Sequence, residues 1–143
     1  MRNVVWGTLL IGLFAAACAG TSATPLTVSA REPGTVFFVE NHGKDQRHLE
    51  QIIATVIRAR GLDVTAGGPN QRPAAAAFVV TYQDHWAWDM RTFLREIKIE
   101  VRDAKTSAIV AVSRTYQDSL AAMGKSYEGI VRNATNQLFD GAP

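Results

Sequence analysis

Cysteine is nearly absent: Cys18 is alone among 143 residues, so no internal disulfide can form and the thiol is free, intermolecular or modified. Histidine is scarce too. His42, His48 and His85 have no close ligand spacing, and with no second cysteine a metal site is not expected. No dense basic block occurs: Arg91, Arg95, Lys98 and Arg102 alternate with Glu96, Glu100 and Asp103, and the formal net charge is only +2. Nucleic acid is therefore not an expected partner. Ser107, Ser113, Ser119 and Ser126 lack the strained Gly-x-Ser-x-Gly context of an activated serine. Gly43-Lys44 lacks the upstream glycine and the hydroxyl residue of a phosphate loop. Asp84 and Asp89 read as charged turn residues rather than as an acid–base pair. The chain offers no catalytic constellation and no cofactor motif, and the expectation is a protein that is not an enzyme.

What is present first is an address. Met1-Arg2-Asn3 carries positive charge, and an apolar run from Val4 to Ala17 follows. That run is too short to cross a bilayer as a helix, which takes roughly 20 residues, but it suits the apolar region of a secretory signal, usually ~7–15 residues. Ala15-Ala16-Ala17 then stand directly before Cys18. This segment resembles the lipobox of bacterial prolipoproteins, with Ala15 where leucine is commonest. The resemblance implies diacylglycerol on the Cys18 sulfur, cleavage before Cys18 and N-acylation, so that residues 1–17 are a lipoprotein signal peptide and the partner at Cys18 is a lipid bilayer. Three acyl chains exceed the two membrane signals that stable anchoring requires. Ala19, where an aspartate would retain an enteric lipoprotein in the inner membrane, implies the outer membrane by the same analogy.

Residues 18–34 read as the lipidated cysteine and a flexible tether, because small polar residues with Pro25, Pro33 and Gly34 bury too little surface to order themselves. Residues 35–143 read as a single domain, of a size and composition that support one hydrophobic core without staples. Thr35–Glu40 is a β-branched and aromatic run, the pattern of a buried strand. Asp45 is a candidate N-cap, and Leu49, Ile52, Ile53, Val56 and Ile57 recur at helical spacing until Gly61 closes the helix. Strands are expected over 62–66, from 77 to about 88, over 91–102 and from 107 to about 115. In the strand over 91–102, Phe93, Ile97, Ile99 and Val101 share one face and Glu96, Lys98, Glu100 and Arg102 the other. A second helix is expected over roughly 126–140, ended by Gly141. The order predicts a two-layer α/β sandwich, a mixed sheet of about five strands with two helices on one face.

The most unusual stretch is Tyr82-Gln83-Asp84-His85-Trp86-Ala87-Trp88-Asp89-Met90. A strand points Tyr82, Asp84, Trp86 and Trp88 one way and His85 and Asp89 the other. Two arrangements compete: the tryptophans pack across a strand pair under a loop, or they stand on the wet face with Tyr82 as a partner-binding surface rimmed by Glu96, Lys98 and Glu100; contact with a sugar or a lipid is the remaining alternative. On Tyr82, Trp86, Trp88, Asp89 and Met90, the segment resembles small uncharacterised Gram-negative lipoproteins that carry a Trp-x-Trp-Asp-Met motif. That resemblance implies the fold of ABC-transport auxiliary lipoproteins and a cell-envelope location facing the periplasm, without a defined chemistry. The leading expectation is a tethered, non-catalytic accessory or scaffold subunit of an envelope transport or assembly complex, bound to another envelope protein. The alternatives are a carrier of a small apolar or glycan ligand, and an unrecognised periplasmic hydrolase.

Overall fold

The computed structural model describes residues 18–142, and the leader read from residues 1–17 lies outside the described residues. The elements in chain order are β1 (Ala19–Thr24), β2 (Val36–Glu40), α1 (Leu49–Ala59), β3 (Asp63–Gly67), β4 (Phe78–Asp89), β5 (Arg91–Asp103), β6 (Ile109–Gln117) and α2 (Tyr127–Asp140). They form the expected two-layer α/β sandwich, with one strand more than expected. The mixed sheet runs β1-β6-β5-β4-β2-β3. Ile53 and Ile57 of α1 and Ile130, Val131, Ala134 and Leu138 of α2 share one core with Phe37, Val39, Val80, Ile97 and Ile99 of the sheet.

The extra strand corrects the reading of residues 18–34 as a flexible tether. β1 pairs antiparallel with β6, Ala19 opposite Gln117 through to Thr24 opposite Val112. A short 3-10 turn follows over Val28–Arg31, and Leu26 is only 1% exposed. The Leu26 N–H donates to Leu138 O of α2 at 2.6 Å, and Arg31 donates to Leu26 O. The side chains of β1 bury almost nothing. Backbone pairing to an existing edge holds it instead, which patterning of side chains does not reveal.

Local chemistry accounts for the helix ends. α1 starts at Leu49, after His48 in the left-handed region at φ 55°. Asp45 lies four residues earlier, yet its carboxylate accepts the N–H groups of Arg47 and Leu49 at 2.7 and 2.6 Å. It still supplies acceptors to the otherwise orphaned amides at the helix start. Gly61 follows α1 at φ 77°, a conformation that costs a non-glycine residue about 1–2 kcal/mol. Ser126 caps α2, its hydroxyl accepting the Gly129 N–H at 3.1 Å.

β2 lies between β3 and β4, parallel to both. The helix α1 carries the chain outward from β2 to β3, and the connection over 68–77 carries it back past β2 to β4. Right-handed crossover in opposite directions puts the two connections on opposite faces of the sheet. Phe38, which alternates away from the helix-facing Phe37 and Val39, is also only 1% exposed, so the sheet is covered on both faces at this point.

Leu26→Ala is expected to destabilise the domain by about 2–5 kcal/mol, as for other fully buried leucines. Denaturant unfolding checks this, and a loss under about 0.5 kcal/mol would return residues 18–34 to the status of a loose tether.

Candidate functional site

The tryptophan-bearing strand β4 is split by the fold into an internal half and an external half. Tyr82 lies in the core at 4% exposure, which removes it from any partner-binding surface. Its hydroxyl donates to Asp45 Oδ2 at 2.8 Å and reaches Glu50 Oε2 at 3.4 Å. Burial together with Asp45, Glu50 and Asp84 pushes the phenol far above its ordinary value of 10.0, so it stays a donor. For Asp45, burial pulls the carboxyl upward, but the Arg47 N–H, the Tyr82 hydroxyl and the Leu49 N–H outweigh it, leaving the group below its ordinary 3.8.

Trp86 is half-buried and belongs to the same helix-side cluster. Its indole N–H donates to Asp84 Oδ2 at 2.6 Å, and Asp84 Oδ1 lies 2.9 Å from His42 Nε2. The Arg47 guanidinium sits 3.8 Å from its ring centroid, and Tyr127 meets it edge-on at 5.6 Å. These contacts join β4 to the β2–α1 loop and to the first residue of α2. Trp86 is therefore largely a structural clasp, and Glu96, Lys98 and Glu100 do not rim it because they lie on the other face. That free face carries its own pairs, Arg114 with Glu96 at 2.8 Å and Lys98 and Arg102 with Glu100.

Trp88 stands apart at 76% exposure, beside Met90 at 92%. A bulge in β5 leads to this end. His85 opposes Glu96 but Trp86 opposes Leu94, so Arg95 has no opposite residue. The alternation of β5 shifts there, and Leu94 rather than Phe93 joins Ile97 and Ile99 in the core. Asp89, Met90, Arg91 and Phe93 then line a groove of about 280 Å³ together with Ser119, Leu120 and Met123 from the β6–α2 loop. The Arg91 guanidinium donates to Ala122 O at 2.6 Å, fastening that loop to the hairpin.

Cys18 is exposed and lies at the same end of the sheet. Its N–H donates to Asp118 Oδ2 at 2.7 Å, and the Asp118 N–H returns a bond to Cys18 O at 2.9 Å. The N–H groups of Ala121 and Cys18 hold the Asp118 carboxyl below its ordinary 3.8.

Sequence reasoning missed a second feature, a cavity of about 390 Å³ between α2 and the β1–β6 edge. Thr21, Thr115, Gln117, Lys125, Ser126 and Ile130 are among its walls. Ser113, Thr115 and Gln117 face α2 and are buried. Gln117 donates to Leu94 O at 2.9 Å, while the Ser113 and Thr115 hydroxyls have no partner among the described residues. The signal was available: the alternate residues Ala111, Ser113, Thr115 and Gln117 give β6 a polar stripe on the face that a covered strand ordinarily keeps apolar. No group of three or more metal-ligating side chains occurs among the described residues.

No family model matches the chain, and no curated protein does. Among solved structures it is similar to the PelC dodecamer from Paraburkholderia phytofirmans, 17% identical, with TM-score 0.61 over 85% of this chain and 94% of that one. A point variant of that PelC aligns over the same spans at TM-score 0.60. A minor lipoprotein from Acinetobacter baumannii, also 17% identical, covers 80% of this chain and 92% of its own at TM-score 0.42, too loose to define a shared fold. The likeness to PelC is one of fold.

Tyr82→Phe removes the hydroxyl from a carboxylate pair and is expected to cost about 1–2 kcal/mol at neutral pH. The folded Asp45 carboxyl titrates below its ordinary 3.8. Its contribution is therefore present above that pH and lost as pH falls through the lower folded value. The gap between wild type and Tyr82→Phe should shrink in that acid window, as followed by denaturant unfolding across pH.

Proposed function

We propose that this chain is a lipid-anchored, non-catalytic domain of the cell envelope, acting as an accessory or scaffold subunit of a transport or assembly complex. The observation that carries the reading is the two-way hydrogen bonding between Cys18 and Asp118. It puts the sole thiol, exposed, at the first residue of the folded body. The sulfur is free for a thioether to diacylglycerol. N-acylation after cleavage before Cys18 turns its amine into an amide that keeps one N–H, so the bond to Asp118 survives the modification. The periplasmic face of a membrane is the location this chemistry requires, with the outer membrane favoured by Ala19. No described helix is long and apolar enough to cross a membrane.

The partner is another envelope protein, met through the free face of the sheet and its edges rather than through Tyr82 or Trp86. PelC forms a dodecamer, so a second copy of this chain is the first partner to test. Intact-mass spectrometry of protein from its native host should find a chain that begins at an acylated Cys18. A Cys18→Ser chain whose residues 1–17 are exchanged for an ordinary cleavable secretory signal should move from the membrane pellet into the soluble extract and lose its crosslinks to envelope proteins. A bare or missing residue 18 would end the anchoring reading. An acylated chain that crosslinks to nothing, itself included, would end the scaffold reading alone.

The cavity beside β1 favours a second reading, a carrier of a small, largely apolar ligand oriented by the unpaired Thr115 hydroxyl. Native mass spectrometry of the purified protein should then show a ligand that Thr115→Val weakens. A clean apo mass from gently extracted protein counts against it.

A further inference from the structure

The exposed apolar side chains are concentrated where the anchor emerges. Trp88, Met90, Leu120 and Met123 are all exposed. Met90, Leu120 and Met123 share one groove with Asp89 and Phe93, and Arg91 pins the two segments together through Ala122 O. The patch of Met90, Leu120 and Met123 is therefore contiguous and held in place, and Trp88 stands on the hairpin two residues before Met90, outside that groove. Cys18 is bonded to Asp118, immediately before the loop that carries Leu120 and Met123.

The strand registers fix the relative depth of the two features. Tyr116 pairs with both Gly20 of β1 and Glu96 of β5. Cys18 lies two residues past Gly20, and Met90 lies six past Glu96, toward the same end. The hairpin tip thus extends roughly 10–13 Å beyond the level of Cys18, at ~3.3 Å per residue less the bulge.

The residue at the tip is chosen against the preference of the backbone. Met90 sits at φ 57°, a left-handed conformation that glycine or asparagine adopts far more readily. Its side chain is almost wholly exposed, so the domain gains no packing in return. Trp88 likewise gives its surface to solvent. An observed outlier of this kind points to a function outside the fold.

We propose that this end of the domain seats in the lipid–water interface, with Trp88, Met90, Leu120 and Met123 entering the boundary between headgroups and acyl chains beside the lipid on Cys18. The choice of a bilayer as occupant rests on the anchoring reading, because the patch lies at the point where that lipid leaves the body. An indole is suited to this depth, apolar in body with one polar N–H. Lys125, exposed two residues past Met123, carries a charged end that can meet anionic headgroups while its stem lies along apolar surface. The acyl chains set the attachment, and the tip sets the orientation of the sheet relative to the membrane.

The test uses the acylated protein in phosphatidylethanolamine–phosphatidylglycerol vesicles that carry a dibromostearoyl phosphatidylcholine. Tryptophan emission should be quenched in the wild type, and Trp88→Phe should abolish the quenching, because Trp86 is shielded by Arg47 and Tyr127. In parallel, the unacylated Cys18→Ser chain from residue 18 onward, without the apolar 1–17 segment, and its Trp88→Ser/Met90→Asn derivative are partitioned onto the same vesicles without the brominated lipid. The derivative should bind about tenfold more weakly or less, as expected on withdrawing two large apolar side chains from the interface. Met90→Asn alone should weaken binding while leaving thermal stability equal or higher, since asparagine accepts the left-handed conformation.

Bound, acylated protein with unquenched Trp88 overturns the proposal and leaves the anchor intact. Equal partitioning of the two unacylated chains overturns it whatever the state of Cys18. A change of oligomeric state in the derivative, read by light scattering, with no change in vesicle binding assigns the tip to a protein contact instead.

Discussion

The antiparallel ladder between β4 and β5 holds its register from Phe78 opposite Asp103 to Asp89 opposite Arg91, with one interruption at Arg95. That interruption apportions the molecule. On one side of it, Tyr82, Ile97 and Ile99 face the helices and close the core. On the other, Trp86 and Leu94 still pack in the helix-side cluster, and the last residues of the hairpin, past the end of β6, present Trp88 and Met90 to the surroundings. Inside the domain this tip supplies the bond from Arg91 to Ala122 O, while Trp88 and Met90 add little packing.

The second constraint is the edge at β6. This strand takes β1 on its outer side, carries the polar stripe of Ser113, Thr115 and Gln117 beneath α2, and ends in Asp118. Since Asp118 accepts from Cys18, a modification at the first residue of the body is transmitted to the sheet rather than dissipated in a linker. A long flexible tether would let the domain tumble over the membrane. On the proposed anchoring, a clamped cysteine with an apolar tip beside it would allow few orientations. The likeness to PelC is one of fold.

Much of the architecture was legible in the residues. The helical spacing of Leu49, Ile53, Val56 and Ile57, the left-handed Gly61, the second helix ended by Gly141 and the alternation of Ile97, Ile99 and Val101 each follow from local physics. The reading failed where the determining interaction was not carried by side-chain pattern. β1 is small and polar, and only the free hydrogen-bonding edge of β6 makes it a strand. Phe93 and Leu94 exchange roles because one unpaired residue shifts the alternation. Tyr82 has the look of a surface aromatic until Asp45 and Glu50, distant in sequence, supply acceptors for its hydroxyl.

What the sequence determined alone was chemistry that depends on neighbours along the chain. This comprises an apolar segment ending in small residues before a single thiol, two amphipathic helices, and strands of alternating apolar and polar residues. What only the tertiary structure decided was which aromatic is buried and which is offered. Trp86 and Trp88 are indistinguishable by type and spacing, yet one is clasped by Arg47, Asp84 and Tyr127 while the other projects past the edge of the helical layer. Exposure depends on where the layer above a strand ends, and that boundary is set by contacts between segments far apart in the chain.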